Sequence, residues 1–398
     1  MKIVVACEMP ESAIDDLRGL ATELDYVPGV NPAQLRDHLA GAGVLVVAGT
    51  RVSPEMIQRA AALQLIVHAG SGPGDVAIEE ASTQGVFVAH CPDRHAAAVA
   101  ELALGLLLAL DRRIVDHTVA LREGRWVRAE AADARGLAGR ALGILGYGVT
   151  GREVAHRARA FALRVLAWTP RGPTEAAADD GVTWCHWPRE LARQSDMVTV
   201  LAVEPPGEVL VDAEFLQSLP IGASLVHLGH PGAVDEAALM AAVEKRRLRV
   251  AVDTFGTEPT GESGRFRSRL CELPGVVVTP RIATLTAQAR AATADEVVRV
   301  VRAFVVSGEV RHCLNLCERS PATWQLVLRV RDQVGVMAAV LEAVRADGIN
   351  AQEISSRVFT GAKAAWCTIS LDERPSTEAL EAIRALPDVL HLELRAVV

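Results

Sequence analysis

The sequence predicts an α/β fold built from doubly wound parallel sheets, with a smaller module at the C-terminal end. Short apolar runs alternate with helical segments over most of the chain. Half of the 398 residues are hydrophobic and only 4% are aromatic, a composition typical of parallel sheets covered by helices. From about residue 322 the alternation changes character, which predicts a separate small module.

The first ninety residues predict a parallel sheet of their own. Apolar runs indicate strands at residues 2–7, 44–47, 65–68 and 86–89, and the run 70–74, Gly-Ser-Gly-Pro-Gly, marks a turn between two of them. A long helix is expected from Arg94 through Arg112. This lobe is therefore expected to be a doubly wound, flavodoxin-like domain.

A glycine-rich turn follows the long helix. The apolar run 141–145 leads into Gly146-Tyr147-Gly148-Val149-Thr150-Gly151, and an amphipathic segment continues to Phe161. A strand, tight turn and helix in this order direct backbone N–H groups and the positive helix end at one spot, which suits a pyrophosphate. These six residues are the predicted dinucleotide-binding residues of a Rossmann domain. The alternative is an ordinary strand-to-helix turn.

The later pattern completes two lobes and a tail. Strands are expected at residues 197–202, 224–228, 250–253 and 276–279, and a helix at 287–306 returns the chain to the first lobe. The predicted domains are a substrate domain, 1–93 completed by 284–315, a dinucleotide-binding domain, 94–283, and a tail, 320–398. The tail reads β-α-β-β-α-β, which predicts a ferredoxin-like module.

Composition limits the class of protein. The net charge is −8 and no Lys/Arg stripe occurs, so nucleic acid is not expected as a partner. The apolar run 102–110 is too short to span a bilayer, and the start reaches Glu8 too early for a secretory signal. The seven scattered cysteines do not form a disulfide or metal pattern. A cytoplasmic protein without a metal is expected.

Several local motifs together resemble the D-2-hydroxyacid dehydrogenase family, in particular phosphoglycerate dehydrogenases with a C-terminal ACT domain. The resemblance covers residues 1–315 and is carried by Gly70-Ser71-Gly72, Ala98-Val99-Ala100-Glu101, Gly136-Leu137-Ala138-Gly139-Arg140, Gly232-Ala233-Val234-Asp235-Glu236, Asp253-Thr254-Phe255-Gly256-Thr257-Glu258-Pro259 and Thr279-Pro280-Arg281-Ile282. The tail resembles an ACT module through Asp332-Gln333-Val334-Gly335-Val336 and Asp347-Gly348-Ile349-Asn350.

The resemblance implies further roles. Gly70, Ser71 and Gly72 would bind the substrate carboxylate through backbone amides, and Asp253 would lie near the nicotinamide. The helix that contains residues 102–110 would bury a face between the subunits of a homodimer or homotetramer. Val334 stands where ACT modules usually have proline, which favours a structural over a ligand-binding role for the tail. Among the other histidines, His68, His90, His95 and His227 are expected to be structural or to line the cleft, with His227 near the nicotinamide ribose.

The expected catalytic residues depart from the family pattern. The family uses an arginine that binds the substrate, and a glutamate that orients an acid/base histidine. Here Glu258 is kept, His230 stands at the arginine's place, and Arg281 stands at the histidine's place. We expect an active but altered site formed by these three residues.

Hydride transfer to a 2-oxo acid needs a held carboxylate, a stabilised oxygen and a proton. Because the acid/base histidine of the family is not at its usual place, a substrate that needs no external acid is favoured. A 2-iminium acid is such a substrate, since its nitrogen already carries the proton. The hypothesis is therefore reduction at C2 of a small 2-oxo or 2-imino acid, the latter giving an amino acid. The alternatives are an ordinary D-2-hydroxyacid or phosphoglycerate dehydrogenase, and a non-catalytic sensor of NAD(P)H.

The end of the second dinucleotide strand predicts the cofactor. NAD-specific folds place a carboxylate there on the ribose hydroxyls. This sequence has Thr169 at that place and Arg171 two residues later. A hydroxyl and a guanidinium receive a 2′-phosphate that a carboxylate would repel. NADPH is the expected cofactor, with NADH as the alternative if Arg171 is only a solvated loop residue.

Overall fold

Two compact units make up the chain, Met1–Asn315 and Leu316–Val398. The computed structural model describes residues 1–170, 172, 181–202, 209–259, 264–317 and 320–397. Two parallel sheets lie in the first unit and an antiparallel sheet lies in the second. The predicted α/β class is confirmed. Within the described residues, no helix combines the length and the apolar character needed to cross a bilayer.

The first sheet has five parallel strands in the order β2-β1-β3-β4-β5, which confirms the flavodoxin-like expectation. The strands are β1 (Lys2–Val5), β2 (Glu23–Tyr26), β3 (Ala42–Val47), β4 (Leu65–His68) and β5 (Phe87–His90). The helices of this region are α1 (Glu11–Leu20), α2 (Pro32–His38), α3 (Pro54–Arg59) and α4 (Ile78–Thr83). Sequence reasoning missed β2, because this edge strand carries two acidic residues and none of its residues is buried.

The second sheet has seven parallel strands in the order β12-β11-β10-β9-β6-β7-β8. The strands are β6 (Ala141–Leu145), β7 (Arg164–Trp168), β8 (Thr183–Trp184), β9 (Met197–Val200), β10 (Ser224–His227), β11 (Arg249–Val252) and β12 (Val276–Val278). The strand order reverses between β6 and β9, and doubly wound folds bind ligands in the crevice at such a point.

Helices cover both faces of this sheet and connect it to the first. They are α5 (Ala96–Arg112), α6 (Ile114–Arg122), α7 (Val149–Ala160), α8 (Pro188–Gln194), α9 (Ala213–Ser218), α10 (Glu236–Arg246) and α11 (Ala287–Ser307). The buried side of α11 packs into the core of the first sheet with α1, as the sequence predicted. The boundaries proposed for the two lobes stay a prediction.

The long apolar helix α5 is an internal element. Leu104, Leu106, Leu107 and Leu110 are buried in a core cluster that also contains the inner face of α7. The expected subunit-facing stripe of residues 102–110 is thus largely covered within the chain. The helix α5 ends at Arg112, as the sequence predicted; Arg113, with φ +49°, then leads into α6, a helix that the sequence reasoning missed.

The second unit has the predicted β-α-β-β-α-β order. Its elements are β13 (Trp324–Arg331), α12 (Val336–Ala346), β14 (Ala351–Val358), β15 (Ala364–Leu371), α13 (Thr377–Arg384) and β16 (Val389–Ala396). The strands pair antiparallel in the order β14-β15-β13-β16 over a core that includes Leu326, Val340 and Ile369. This arrangement is compatible with the expected ACT-like module, whose identification stays a prediction.

Candidate active site

The glycine turn lies between β6 and α7, at the reversal of the second sheet. Gly146 has φ +99°, and a Cβ there would lie 2.8 Å from the amide nitrogen of Ala202. A Cβ at Gly151 would lie 2.7 Å from the carbonyl oxygen of Gly146. At Gly148, by contrast, a Cβ would meet nothing within 4 Å. Two glycines are therefore required by close packing, and the third leaves open space above the turn.

That open space faces the start of α7. Gly148 is the N-cap, and no side chain in the described ranges caps the first amides of the helix. Val149 and Thr150 lie half-buried in the first turn, whereas the Tyr147 ring is buried against Trp184 at 5.1 Å. Uncapped amides at the positive end of a 12-residue helix fit the pyrophosphate of a dinucleotide.

The end of β7 lies beside this turn. The Gly146 N–H donates a hydrogen bond to the Trp168 carbonyl at 2.9 Å, and the half-buried Thr169 follows. No carboxylate is present at residues 167–170. Arg171, the second predicted 2′-phosphate residue, lies outside the described residues.

Three adjacent strand ends bring the predicted catalytic residues to one edge. Strands β10, β11 and β12 pair in parallel, so their carboxyl ends share that edge. His230 follows β10, Glu258 follows β11, and Arg281 follows β12. The Thr254 hydroxyl donates to the Gly229 carbonyl at 2.9 Å and ties the first two segments together.

Glu258 pairs with Arg281 in the described geometry. An Arg281 Nη1 donates to Glu258 Oε2 at 2.5 Å, and the Phe255 N–H donates to Glu258 Oε1 at 3.0 Å. The Glu258 side chain is 22% exposed, whereas that of Arg281 is 66% exposed. The carboxylate is thus fixed on both oxygens, and much of the guanidinium faces solvent, where it can receive an anion.

Asp253 holds the segment that carries Arg281. Asp253 is fully buried, and burial raises the pKa of its carboxyl while its hydrogen bonds act in the opposite direction. The carboxylate accepts from the Thr279 hydroxyl and from the amides of Ile282 and Ala283, at 2.5, 2.8 and 3.0 Å. Its backbone carbonyl accepts from the Arg281 N–H at 2.9 Å. Sequence reasoning found this residue but not this role.

His230 is oriented by its own turn. Its Nδ1 accepts a hydrogen bond from the Gly232 N–H at 3.0 Å. An imidazole nitrogen that accepts carries no proton, so the neutral ring carries its hydrogen on Nε2. His230 therefore offers one neutral N–H donor at the strand edge, beside the segment of Glu258 and Arg281.

The ring of His227, the last residue of β10, is buried without a hydrogen-bond partner in the described part of the chain. It is 3% exposed, and neither ring nitrogen has a hydrogen-bond partner among the described residues. Burial, together with the neighbouring His230, lowers the pKa of His227 to about 4. A buried ring with two unsatisfied nitrogens fits the polar nicotinamide half of a bound dinucleotide, which would supply the missing partners.

The predicted carboxylate loop has an arrangement that the sequence did not reveal. The Gly72 N–H donates to His90 Nδ1 at 2.9 Å, and His68 Nδ1 lies 2.8 Å from the Gly72 carbonyl oxygen. The Gly70 N–H donates to the His68 carbonyl at 2.9 Å. Within the described structure, Ser71 is the loop residue whose amide has no acceptor. The sequence does place a histidine at the end of each of two neighbouring strands, and this was the signal that could have predicted these contacts.

No group of three or more His, Cys, Asp or Glu side chains among the described residues is placed to hold a metal ion. The described site consists of a glycine turn at a helix N-terminus, an ion pair, two histidines at one strand end and a second loop held by histidines.

Comparison with known proteins identifies the family. The model of the D-isomer specific 2-hydroxyacid dehydrogenase NAD binding domain matches residues 104–283. A hydroxypyruvate reductase of Thermotoga maritima is 32% identical over 261 residues, which cover 65% of this chain and 83% of that protein. The chain belongs to the D-isomer specific 2-hydroxyacid dehydrogenase family and contains its NAD-binding domain.

Longer relatives are matched only in part. A D-3-phosphoglycerate dehydrogenase of Methanocaldococcus jannaschii is 31% identical over 76% of this chain and 58% of its own length. The chain spans 58% to 64% of the length of the phosphoglycerate dehydrogenases that it matches.

Solved structures share the fold. An NADPH-dependent glyoxylate/hydroxypyruvate reductase from Sinorhizobium meliloti is 26% identical with a TM-score of 0.65, over 79% of this chain and 96% of that one. An acyclic imino acid reductase in complex with NADPH and D-Arg has a TM-score of 0.68 over 79% of this chain and all of that one. Its 19% identity indicates a common fold alone.

Proposed function

We propose that the protein is an NADPH-preferring oxidoreductase that transfers hydride to C2 of a small 2-oxo or 2-imino carboxylic acid. The observation that carries the proposal is the Glu258–Arg281 ion pair, fixed beside His230 at the strand edge that follows the glycine turn. When bound, a nicotinamide dinucleotide supplies the hydride. The residues of this chain hold the substrate and stabilise the charge that develops on it.

Arg281 is proposed to hold the substrate carboxylate. Its guanidinium has a planar, two-point donor geometry that suits a carboxylate, and most of it faces solvent. Glu258 fixes its orientation before the substrate arrives. The buried Asp253 and its hydrogen bonds fix the backbone that carries it.

Proton supply separates the two substrate classes. A guanidinium does not release a proton near neutral pH, so Arg281 cannot act as the acid. A neutral His230 that donates its Nε2 proton would become an imidazolate, since Nδ1 already accepts from Gly232. An imidazolium would instead direct a second N–H at the Gly232 N–H. The geometry thus supports His230 as a hydrogen-bond donor rather than a proton donor.

A 2-iminium acid does not need that proton. Hydride adds to C2, the C=N π pair moves onto nitrogen, and the amine then takes a proton from water. A 2-oxo acid would leave an alkoxide that requires an acid at the same moment. The imino substrate is therefore the finer proposal.

NADPH preference rests on the end of β7. Thr169 replaces the carboxylate that would bond ribose hydroxyls and repel a 2′-phosphate. Arg171 is proposed to pair with that phosphate. The Sinorhizobium meliloti relative is named as NADPH-dependent, which agrees with the proposal.

Ordinary 2-hydroxyacid chemistry is the second candidate. The names of the curated relatives, D-3-phosphoglycerate dehydrogenase and hydroxypyruvate reductase, favour it. In that case His230 would have to leave Gly232 and protonate during turnover.

Steady-state oxidation of NADPH separates the candidates. One arm contains a 2-oxo acid alone, and the others add ammonia or generate the imine from an amino acid with an amino-acid oxidase. We expect faster turnover when the imine is present. Faster turnover on the oxo acid alone would refute the imino proposal, and no NADPH oxidation in any arm, over a panel of acids, would refute the enzymatic proposal.

A cytoplasmic homodimer or homotetramer completes the proposal. All seven cysteines are free, as in reducing compartments. An apolar surface on and after α6 supports assembly through a second copy, rather than through residues 102–110. Its exposed members are Ile114, Val115, Val119, Leu121 and Trp126, the last 80% exposed.

A further inference from the structure

Two histidines enclose one residue of the loop that follows β4. His68 ends β4, His90 ends β5, and the two residues are register partners in adjacent parallel strands. The His90 ring accepts the Gly72 N–H at 2.9 Å, and the His68 ring lies 2.8 Å from the Gly72 carbonyl. Both backbone groups of Gly72 are therefore occupied by imidazole rings.

The loop is shaped around the His68 ring. A Cβ at Gly70 would lie 2.8 Å from that ring, and one at Gly74 would lie 2.5 Å from it. Gly74 also has φ +61°. The Cys91 N–H donates to the Gly70 carbonyl at 2.9 Å and ties the loop to the segment after β5. The two glycines are required because the ring occupies the space that a side chain would need.

The two rings must carry their protons differently. A carbonyl oxygen only accepts, so His68 Nδ1 carries a hydrogen and donates it to Gly72. His90 Nδ1 receives a hydrogen and must be unprotonated. We call the contacts of His68 and His90 with Gly72 the clamp. The clamp exists only while His90 is neutral, because a second N–H at Nδ1 would face the Gly72 N–H.

The surroundings of His90 keep it neutral. Burial lowers the pKa of His90, the charges of His312 and His68 act in the same direction, and Asp93 opposes them. The His312 ring lies edge-on to His90 with centroids 6.2 Å apart. Behind it, His312 Nε2 lies 3.1 Å from the buried Glu296, which also accepts from Arg299 at 2.9 Å and lies 3.7 Å from Arg94.

We infer that His68 and His90 are positioning residues that reserve the backbone of Gly72 for the protein, so that, among Gly70, Ser71 and Gly72, the amide of Ser71 is the one left to receive the substrate carboxylate. The inference rests on the proposed function, because it concerns the same substrate. The inference goes beyond the proposed function by leaving one of the three amides expected from the sequence for the substrate, and by making substrate binding depend on a neutral His90.

Kinetics of two His90 variants test this inference. Asn places its Oδ1 where His has Nδ1, so His90→Asn keeps an acceptor that cannot be protonated. His90→Phe keeps the ring and removes the acceptor. We expect His90→Phe to raise the KM for the acid about two- to tenfold, the range of one hydrogen bond, with a smaller change in kcat.

The pH dependence supplies a readout that a purely structural role would not change. In the wild type, the KM should rise as the pH falls and His90 protonates. His90→Asn should keep a near-normal KM at neutral pH and remove that part of the rise. His186→Asn, an exposed histidine outside the site, serves as the control and should retain the wild-type profile. An unchanged profile in His90→Asn would overturn the inference.

The Gly72 amide gives a test that is independent of turnover. In protein labelled with [15N]glycine, its resonance should titrate with His90, stop titrating in His90→Asn and exchange faster with solvent in His90→Phe. A Gly72 amide that is insensitive to all these changes would refute the clamp even if the enzyme is active. If the clamp is seen but no acid is reduced, the proposed function has failed instead.

Discussion

At the scale of single residues, the site depends on a strained backbone. Arg281 has φ +52°, a conformation that costs a non-glycine residue about 1–3 kcal/mol and persists only where its surroundings enforce it. Asp253 supplies that enforcement, because it accepts hydrogen bonds from the residues on both sides of Arg281. Arg281 thus combines an enforced backbone conformation with an exposed side chain, which agrees with the binding role proposed for it.

Arg281→Lys should weaken substrate binding. A lysine keeps the charge but loses the planar two-point geometry, so the KM for the acid should rise roughly 10- to 100-fold, the equivalent of about 1.5–3 kcal/mol. The affinity for NADPH, measured by fluorescence titration, should stay unchanged. Arg290→Lys, an exposed arginine of α11, is the matched control. A KM within twofold of the wild type would contradict the assigned role.

Acid should destabilise the fold through His227. The pKa of this ring is about 4 in the folded protein and about 6.5 when unfolded, so the unfolded chain binds more protons between these values. The stability is fully present above pH 6.5 and is lost as the pH falls towards 4. About 2–3 kcal/mol should disappear between pH 7.5 and 4.5 through this ring.

Urea unfolding of His227→Leu at several pH values measures that contribution. The variant should lose less stability on acidification than the wild type, whereas a variant of the exposed His186 should not differ. Equal slopes for wild type and His227→Leu would show that the ring is not the source. The pKa values of His68, His90 and His95 are also lowered by burial and should produce part of the remaining slope.

Sequence reasoning named the predicted site residues but not their contacts. Motifs placed His230, Glu258 and Arg281 at strand ends, because residues that follow parallel strands share an edge. It could not tell that Glu258 would pair with Arg281, or that His230 would accept from Gly232, since both depend on side-chain geometry. Likewise, it assigned three free amides to the 70–72 loop, two of which are engaged.

At the scale of elements, the turn between β6 and α7 and the end of β7 are proposed to set the cofactor preference together. Thr169→Asp should shift preference towards NADH, because a carboxylate there bonds ribose hydroxyls and repels the 2′-phosphate. The ratio of NADH to NADPH affinity should rise at least about tenfold, or 1.4 kcal/mol. Thr183→Asp on the neighbouring exposed strand is the control. No change in the ratio would refute the assignment.

Elements with strong apolar patterns were predictable, and weak ones were not. Six of the seven strands of the second sheet are apolar runs, so their positions followed from the sequence, whereas the two-residue edge strand β8 was missed. The edge strand β2 and the helix α6 are poorly buried, and their sequences therefore carry little periodic signal. Arg113, between α5 and α6, has a positive φ although it is not a glycine, so the sequence carries no signal for this conformation.

At the scale of the molecule, the proposed site lies wholly in the first unit. A chain ending at Asn315 should therefore still bind NADPH. Asn315 should contribute to the stability of this unit, because its side chain accepts a hydrogen bond from the Val88 N–H and donates one to the Val86 carbonyl, both at 2.8 Å. A chain ending at Cys313 should melt at a lower temperature. Loss of NADPH binding in the chain that ends at Asn315 would contradict the placement of the whole site in the first unit.

The apolar surface of α6 predicts the assembly. Trp126→Glu should lower the mass measured by light scattering, because it places a charge in the proposed contact between two copies. A variant of the exposed Trp187, Trp187→Glu, should leave the mass unchanged. An unaltered mass in Trp126→Glu would place the contact elsewhere.

Hydride is proposed to reach C2 of an acid whose carboxylate is held by Arg281, which Glu258 orients, with an iminium preferred. The most direct measurement uses NADPH deuterated at C4, an oxidase-generated 2-imino acid and the matching 2-oxo acid, with mass spectrometry of both products. We predict one deuterium at C2 of the amino acid, formed with a higher kcat/KM than the hydroxy acid. Absence of deuterium from both products, or preferential labelling of the hydroxy acid, would contradict the account.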